Sequence, residues 1–158
     1  MSLPLAAALP PPLSPSGPYR ICLVCLGNIC RSPMAEVALT AELAAAGLAD
    51  AVAVDSAGTG DWHIGHQMER HAHAELARRG YDGSAHRARQ VEPSWLADRD
   101  LILAMDRHNL ADLRRMAARA GIGGDRIVDD VERQNALRLR WRRDQTAQIR
   151  APSTGFGG

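Results

Sequence analysis

The run YRICLVCL, from Tyr19 to Leu26, is almost unbroken apolar sequence of strand length and stops at Gly27. A run of that kind, without polar alternation, predicts a strand buried on both faces. After Ser32 and Pro33 the spacing becomes helical, with Val37, Ala41, Ala44 and Leu48 recurring on one face of MAEVALTAELAAAGL. Ser32 reads as the N-cap and Pro33 as the first helical residue. The pattern then predicts a short strand over 51–55 (AVAVD), a helix over 67–79 closed by Gly80, and a strand over 101–104 (LILA). Leu110, Leu113 and Ala117 share the face of a further helix over 109–120, and a brief fourth strand follows at 126–128.

Strands alternating with helices predict an α/β fold: a four-stranded parallel sheet with helices on both faces and right-handed crossovers. One domain over 19–130 is expected, preceded by a disordered lead-in rich in proline and alanine (1–18) and followed by a basic tail (131–158). All 19 basic residues are arginine, and seven of them follow Asp125. The formal net charge of only +1 gives no field that would select nucleic acid or a membrane surface as partner. No apolar run approaches the ~18 residues of a membrane-crossing helix. The three cysteines, Cys22, Cys25 and Cys30, fall within nine residues, a distribution that cannot staple a secreted fold and fits a reducing, cytoplasmic setting. Among the six histidines, neither His63 with His66 nor His71 with His73 has further ligands at metal-binding spacing, so no metal and no cofactor are expected.

The chemistry is concentrated in CLGNICRS, Cys25 to Ser32, between the first strand and the first helix. A loop wound there turns successive backbone N–H groups inward and adds the positive end of the helix dipole, making a cradle for a tetrahedral oxyanion. Leu26, Gly27, Asn28, Ile29 and Cys30 would supply the amides, and Arg31 a planar fork for two further oxygens. Cys25 would lie beneath a bound phosphoryl group, where the dipole and Arg31 favour the thiolate. The expected reaction is a double displacement through a cysteinyl-phosphate that water then hydrolyses. The Ser32 hydroxyl can donate to the Cys25 sulfur or cap the helix but not fully do both, and the sulfur is the expected partner.

Beyond that loop, VCLGNICRSPMAE is followed in order by VDSAGTGDWHIG, GYD, HRARQV and DLILAMDRHNL. Over about residues 19–128 the chain resembles the low-molecular-weight protein tyrosine phosphatases. The resemblance implies Cys25 as nucleophile and Arg31 as phosphate ligand and transition-state clamp. It implies Asn28, Ser56 and His86 as a hydrogen-bonded set that shapes the loop, and Trp62 as an aromatic wall of the substrate cleft. It also implies a reversible disulfide between Cys30 and the nucleophile, and places Asp106 at a motif position that equally reads as a helix N-cap. The implied substrates are phosphotyrosine-containing proteins or small aryl phosphates.

The resemblance stops short of the chain's end. Members of that family carry an Asp-Pro-aromatic-aromatic loop, whose aspartic acid protonates the leaving oxygen, and then a long C-terminal helix. After Asp130 the sequence VERQNALRLRWRRDQTAQIRAPSTGFGG contains no such loop, so the general acid is unknown and the final helix is expected to be atypical or missing. Asp129 and Asp130 lie near the right strand end, but nothing in their spacing recommends them. The segment reads as divergent, or as a shifted frame in a GC-rich gene. Without an acid, turnover falls by ~10²–10⁴-fold. Two alternatives therefore stand beside an impaired phosphatase: a non-enzymatic phosphoryl-binding module, and an arsenate reductase using an external thiol.

Overall fold

In the computed structural model, which describes residues 9–129, the strand that begins the sequence pattern becomes the centre of the sheet. The elements are β1 (Tyr19–Cys25), α1 (Arg31–Ala45), β2 (Val52–Gly58), α2 (Arg70–Arg78), α3 (Pro93–Asp98), β3 (Leu101–Ala104), α4 (Arg107–Arg119) and β4 (Ile127–Asp129). All strand pairs are parallel, in the order β2-β1-β3-β4. Alternate residues of β1 feed two apolar layers. Cys22 and Val24 pack with Ile102, Ile127, Leu96 of α3, and Leu113 and Ala117 of α4. Leu23 packs with Leu101 and Leu103, and Ala35 of α1 closes over them. Helices therefore cover both faces, as the alternating pattern predicts.

Three local features differ from the sequence expectation. The first is α1, which is capped by Cys30 with no side-chain bond, so Ser32 is not the N-cap; its buried hydroxyl is taken by Cys25. Because α1 ends at Ala45, Leu48 lies beyond it and is exposed; Ala41 and Ala44 of the predicted face are exposed as well, Val37 is half-buried, and α1 buries only Ser32 and Pro33 of its first turn. The second is the run of β2 through Ser56 and Ala57 to Gly58, three residues past the predicted strand, with Gly58 bridging to Gln90. The third is α3, a helix absent from the predicted order. Its six residues bury only Leu96, too little for a periodic signal.

At the N-terminal ends of the strands, Asp100 is 4% exposed and its carboxylate accepts N–H bonds from Leu13 (2.6 Å) and Arg20 (2.7 Å). Residues 9–18 carry no helix or strand. Among the described residues no helix is long and apolar enough to cross a membrane. The expected tail and the atypical final helix lie outside the described residues.

Candidate active site

Parallel strands deliver their following loops to one rim, and three of these loops meet there. Thr59 and Gly60 donate backbone N–H bonds to the carbonyls of Cys25 and Leu26, both 2.9 Å, fastening the segment after β2 to the loop after β1. Arg31 Nη1 donates to Asp106 Oδ2 at 2.8 Å, joining α1 to the start of α4. Asp106 is also the N-cap that its sequence position allows, its other oxygen accepting from Asn109 N. Against the opposing pull of burial, that amide and the Arg31 guanidinium hold its carboxyl below the usual carboxylate range.

Cys25 is 3% exposed at the foot of a cavity of about 210 Å3. Leu26, Gly27, Ile29, Cys30, Arg31 and Trp62, all singled out from the sequence, line it, and so does His63, weighed there only as a metal ligand. A Cβ on Gly27 would lie 2.8 Å from His63 Cδ2, so the ring packs against that glycine, which no sequence signal marked. Burial, with Glu69 and Cys25, pushes the Cys30 thiol up, and all three cysteines are free. Cys22 is core.

Asn28 and Ser32 sit beneath the cavity, fully buried. Asn28 adopts φ +55°, a left-handed conformation that asparagine tolerates better than most residues. Its Nδ2 donates to Ser32 Oγ and Ser56 Oγ, both 2.9 Å, and its Oδ1 accepts from Arg89 N at 2.8 Å. His86 Nε2 donates to the Asn28 carbonyl at 2.6 Å, which fixes the proton on that nitrogen. Ser32 Oγ already accepts from Asn28, so its own proton is free for Cys25 Sγ at 3.0 Å in preference to Ala57 O at 3.4 Å.

One member of this network was not read from the sequence. Glu36 accepts from Ser56 Oγ at 2.9 Å and lies 3.8 Å from both His86 Nδ1 and Arg89 Nη2. Its position four residues after Ser32, on the same side of α1, is the only sequence signal it left. Burial pushes its carboxyl up, and the Ser56 hydroxyl and Arg89 pull it part of the way back. Among the described residues no three His, Cys, Asp or Glu side chains are grouped to hold a metal ion.

The arrangement brings a buried sulfur, a hydroxyl donor to it and an arginine to one small cavity at the start of a helix, a setting whose chemistry suits a tetrahedral oxyanion. The family profile described as low molecular weight phosphotyrosine protein phosphatase matches residues 20–131. A low molecular weight protein-tyrosine-phosphatase of Streptomyces coelicolor is 50% identical over 99 residues, covering 63% of this chain and 60% of that protein. Low molecular weight protein-tyrosine phosphatase A of Mycobacterium tuberculosis is 46% identical over 105 residues, covering 66% and 63%. The chain thus spans less than two thirds of these relatives' own lengths. The crystal structure of YfkJ from Bacillus subtilis superposes with a TM-score of 0.69 at 39% identity, covering 73% of this chain and 72% of that one. With its profile matched over residues 20–131, this protein belongs to the low molecular weight phosphotyrosine protein phosphatase family.

Proposed function

We propose that the chain hydrolyses phosphotyrosine, in proteins or as small aryl phosphates, through a cysteinyl-phosphate on Cys25. The observation that carries this reading is the buried Cys25 sulfur, 3.0 Å from the Ser32 hydroxyl and on the floor of a cavity edged by Arg31. In the first step an Sγ–P bond forms as the ester P–O bond breaks, and the aryl oxygen leaves with the electron pair and takes up a proton. Arg31 leaves Asp106 to hold two equatorial oxygens, and the loop amides hold the remaining charge. In the second step water attacks phosphorus, the S–P bond breaks, and phosphate and the thiolate separate. Trp62 stacks on the phenyl ring. Three free thiols suit a reducing, cytoplasmic setting.

The proton for the leaving oxygen has no assigned source. Asp129 ends β4 with a side chain 1% exposed, 4.0 Å from Arg107, and Asp130 lies outside the described residues. The reading therefore includes impaired turnover of poor leaving groups, by ~10²–10⁴-fold where no acid acts. The test is phosphate release from para-nitrophenyl phosphate, phenyl phosphate and a phosphotyrosine peptide, with Cys25→Ser beside the wild type. Release that falls to background in Cys25→Ser, with a steep preference for the nitrophenyl ester, is expected. An active Cys25→Ser protein overturns the nucleophile, and equal turnover of the two aryl esters overturns the missing acid.

A further inference from the structure

A second depression, of about 600 Å3, lies beside the catalytic cavity and shares Leu26 and Trp62 with it. These two side chains are 44% and 66% exposed, large apolar surfaces left uncovered at the junction of the two spaces. Pro93 at the start of α3 and Asp112, Met116 and Arg119 of α4 also line the depression. At 1.5 Å rise per residue, Asp112 to Arg119 spans ~10 Å. An extended peptide covers that length in about three residues.

The charges lining the groove are unequal. Arg115 pairs with Asp112, so these two cancel. Arg119 also lines the groove, is exposed, and makes no ion pair or side-chain hydrogen bond among the described residues. Among the described residues the groove is thus apolar at Leu26 and Trp62, where it adjoins the catalytic cavity, and carries one uncompensated positive charge at Arg119, toward the C-terminal end of α4.

We propose that this groove holds the polypeptide beside the phosphotyrosine, with one apolar residue against Leu26, Pro93 and Met116 and an acidic residue, three or four positions from the phosphotyrosine, at Arg119. This inference rests on the phosphotyrosine reading above and adds to it a substrate sequence preference. Arg119 acts on binding and lies away from the reacting atoms. As a cation in the last turn of α4 it also complements the helix dipole, and a purely structural role of that kind would affect every substrate alike.

The experiment compares phosphotyrosine peptides carrying Glu, Gln or Lys three or four positions to either side, with para-nitrophenyl phosphate as the substrate that has no flanking chain. Wild type and Arg119→Glu are assayed for kcat/KM. Binding of the same labelled peptides is followed by anisotropy on Cys25→Ser, with and without Arg119→Glu. A Glu peptide favoured over its Gln partner by about fivefold is expected, the scale of one exposed ion pair, with the preference fading as salt rises. Arg119→Glu should transfer the preference to the Lys peptide and leave para-nitrophenyl phosphate unchanged. Equal handling of the Glu, Gln and Lys peptides, or an Arg119→Glu effect equal on all substrates, overturns the groove. If no protein releases phosphate while the peptide preference persists in binding, the phosphatase reading fails and the groove stands. If turnover is normal and binding shows no preference, the groove fails and the phosphatase stands.

Discussion

Glu36 is the residue at which charge and loop geometry conflict. Its carboxylate accepts from Ser56, which in turn holds Asn28, yet burial raises its pKa above the ordinary value despite the Ser56 hydroxyl, Arg89 and His86. A carboxyl whose folded pKa exceeds its unfolded one binds its proton more tightly in the native state. Its contribution to stability is therefore full below the unfolded pKa of ~4.3 and is lost as pH rises through the folded value. Glu36→Gln keeps an acceptor for the Ser56 proton and removes the titration. The unfolding free energy of Glu36→Gln relative to wild type should rise with pH from about 4, then level off above the folded pKa. Denaturant melts across that range measure it, and a difference that stays flat would contradict the raised pKa of this half-buried carboxyl. Glu36 escaped notice in the sequence because its partners sit on β2 and in the 86–89 segment, whereas Cys25 to Ser32 is contiguous and declares itself as one loop.

At the scale of elements, two glycines in the connection after β2 set how the rim is built, and they should fail in different ways. A Cβ on Gly58 would lie 2.6 Å from the Leu26 carbonyl and 3.1 Å from Asn28 N, all backbone of the phosphate loop. Gly58→Ala should therefore cost about 3 kcal/mol of stability and most of the turnover, because neither backbone can give. A Cβ on Gly60 would lie within 1.9 Å of the Trp62 ring, but that ring is exposed and can swing away. Gly60→Ala should leave the melt nearly unchanged and raise KM for aryl phosphates with little change in kcat. Melts and steady-state kinetics on the two variants separate the cases, and a Gly58→Ala protein as stable as Gly60→Ala would refute the close backbone approach. The strands and α4 were legible because burial on both faces leaves apolar runs and burial on one face leaves a 3.6-residue period, as at Leu113 and Ala117, whereas the apolar period of α1 falls on Ala41 and Ala44, which are exposed. The six-residue α3 was not legible, since Leu96 alone carries its burial, and Pro93 at its start is equally a turn residue. The extension of β2 through Ser56 was hidden too, because a serine there reads as the end of a strand until its hydroxyl is seen to hold Asn28.

Over the described residues the two ends of the sheet differ, with the Cys25 cavity at the C-terminal ends of the strands and closure by the Asp100 contacts at the N-terminal ends. The chemical end could be read because its residues form one loop after one strand. The closing end depends on contacts far apart in sequence, between Asp100 and Leu13 and between Arg126 and Pro11, with Tyr19 holding Pro10 nearby, which no local pattern encodes. Asp100 is the centre of that end. Its two oxygens accept from Leu13 N and Arg20 N, its own N–H donates to Arg20 O at 2.9 Å, and its carbonyl accepts from Arg126 at 3.1 Å. Asp100→Asn keeps the shape but turns one acceptor into an NH2 group facing an N–H donor, so one buried amide loses its partner. The expected cost is about 2 kcal/mol, or roughly 6 °C in Tm for a domain of this size. Arg20 lies five residues along β1 from Cys25, ~16 Å at strand rise, too far for the change to reach the phosphate loop while the sheet stays folded. Phosphate release at 20 °C should therefore match wild type while the thermal midpoint falls. A variant that melts normally would remove Asp100 as the closing residue, and one that melts early and also turns over slowly at 20 °C would show that the two ends of the sheet are coupled.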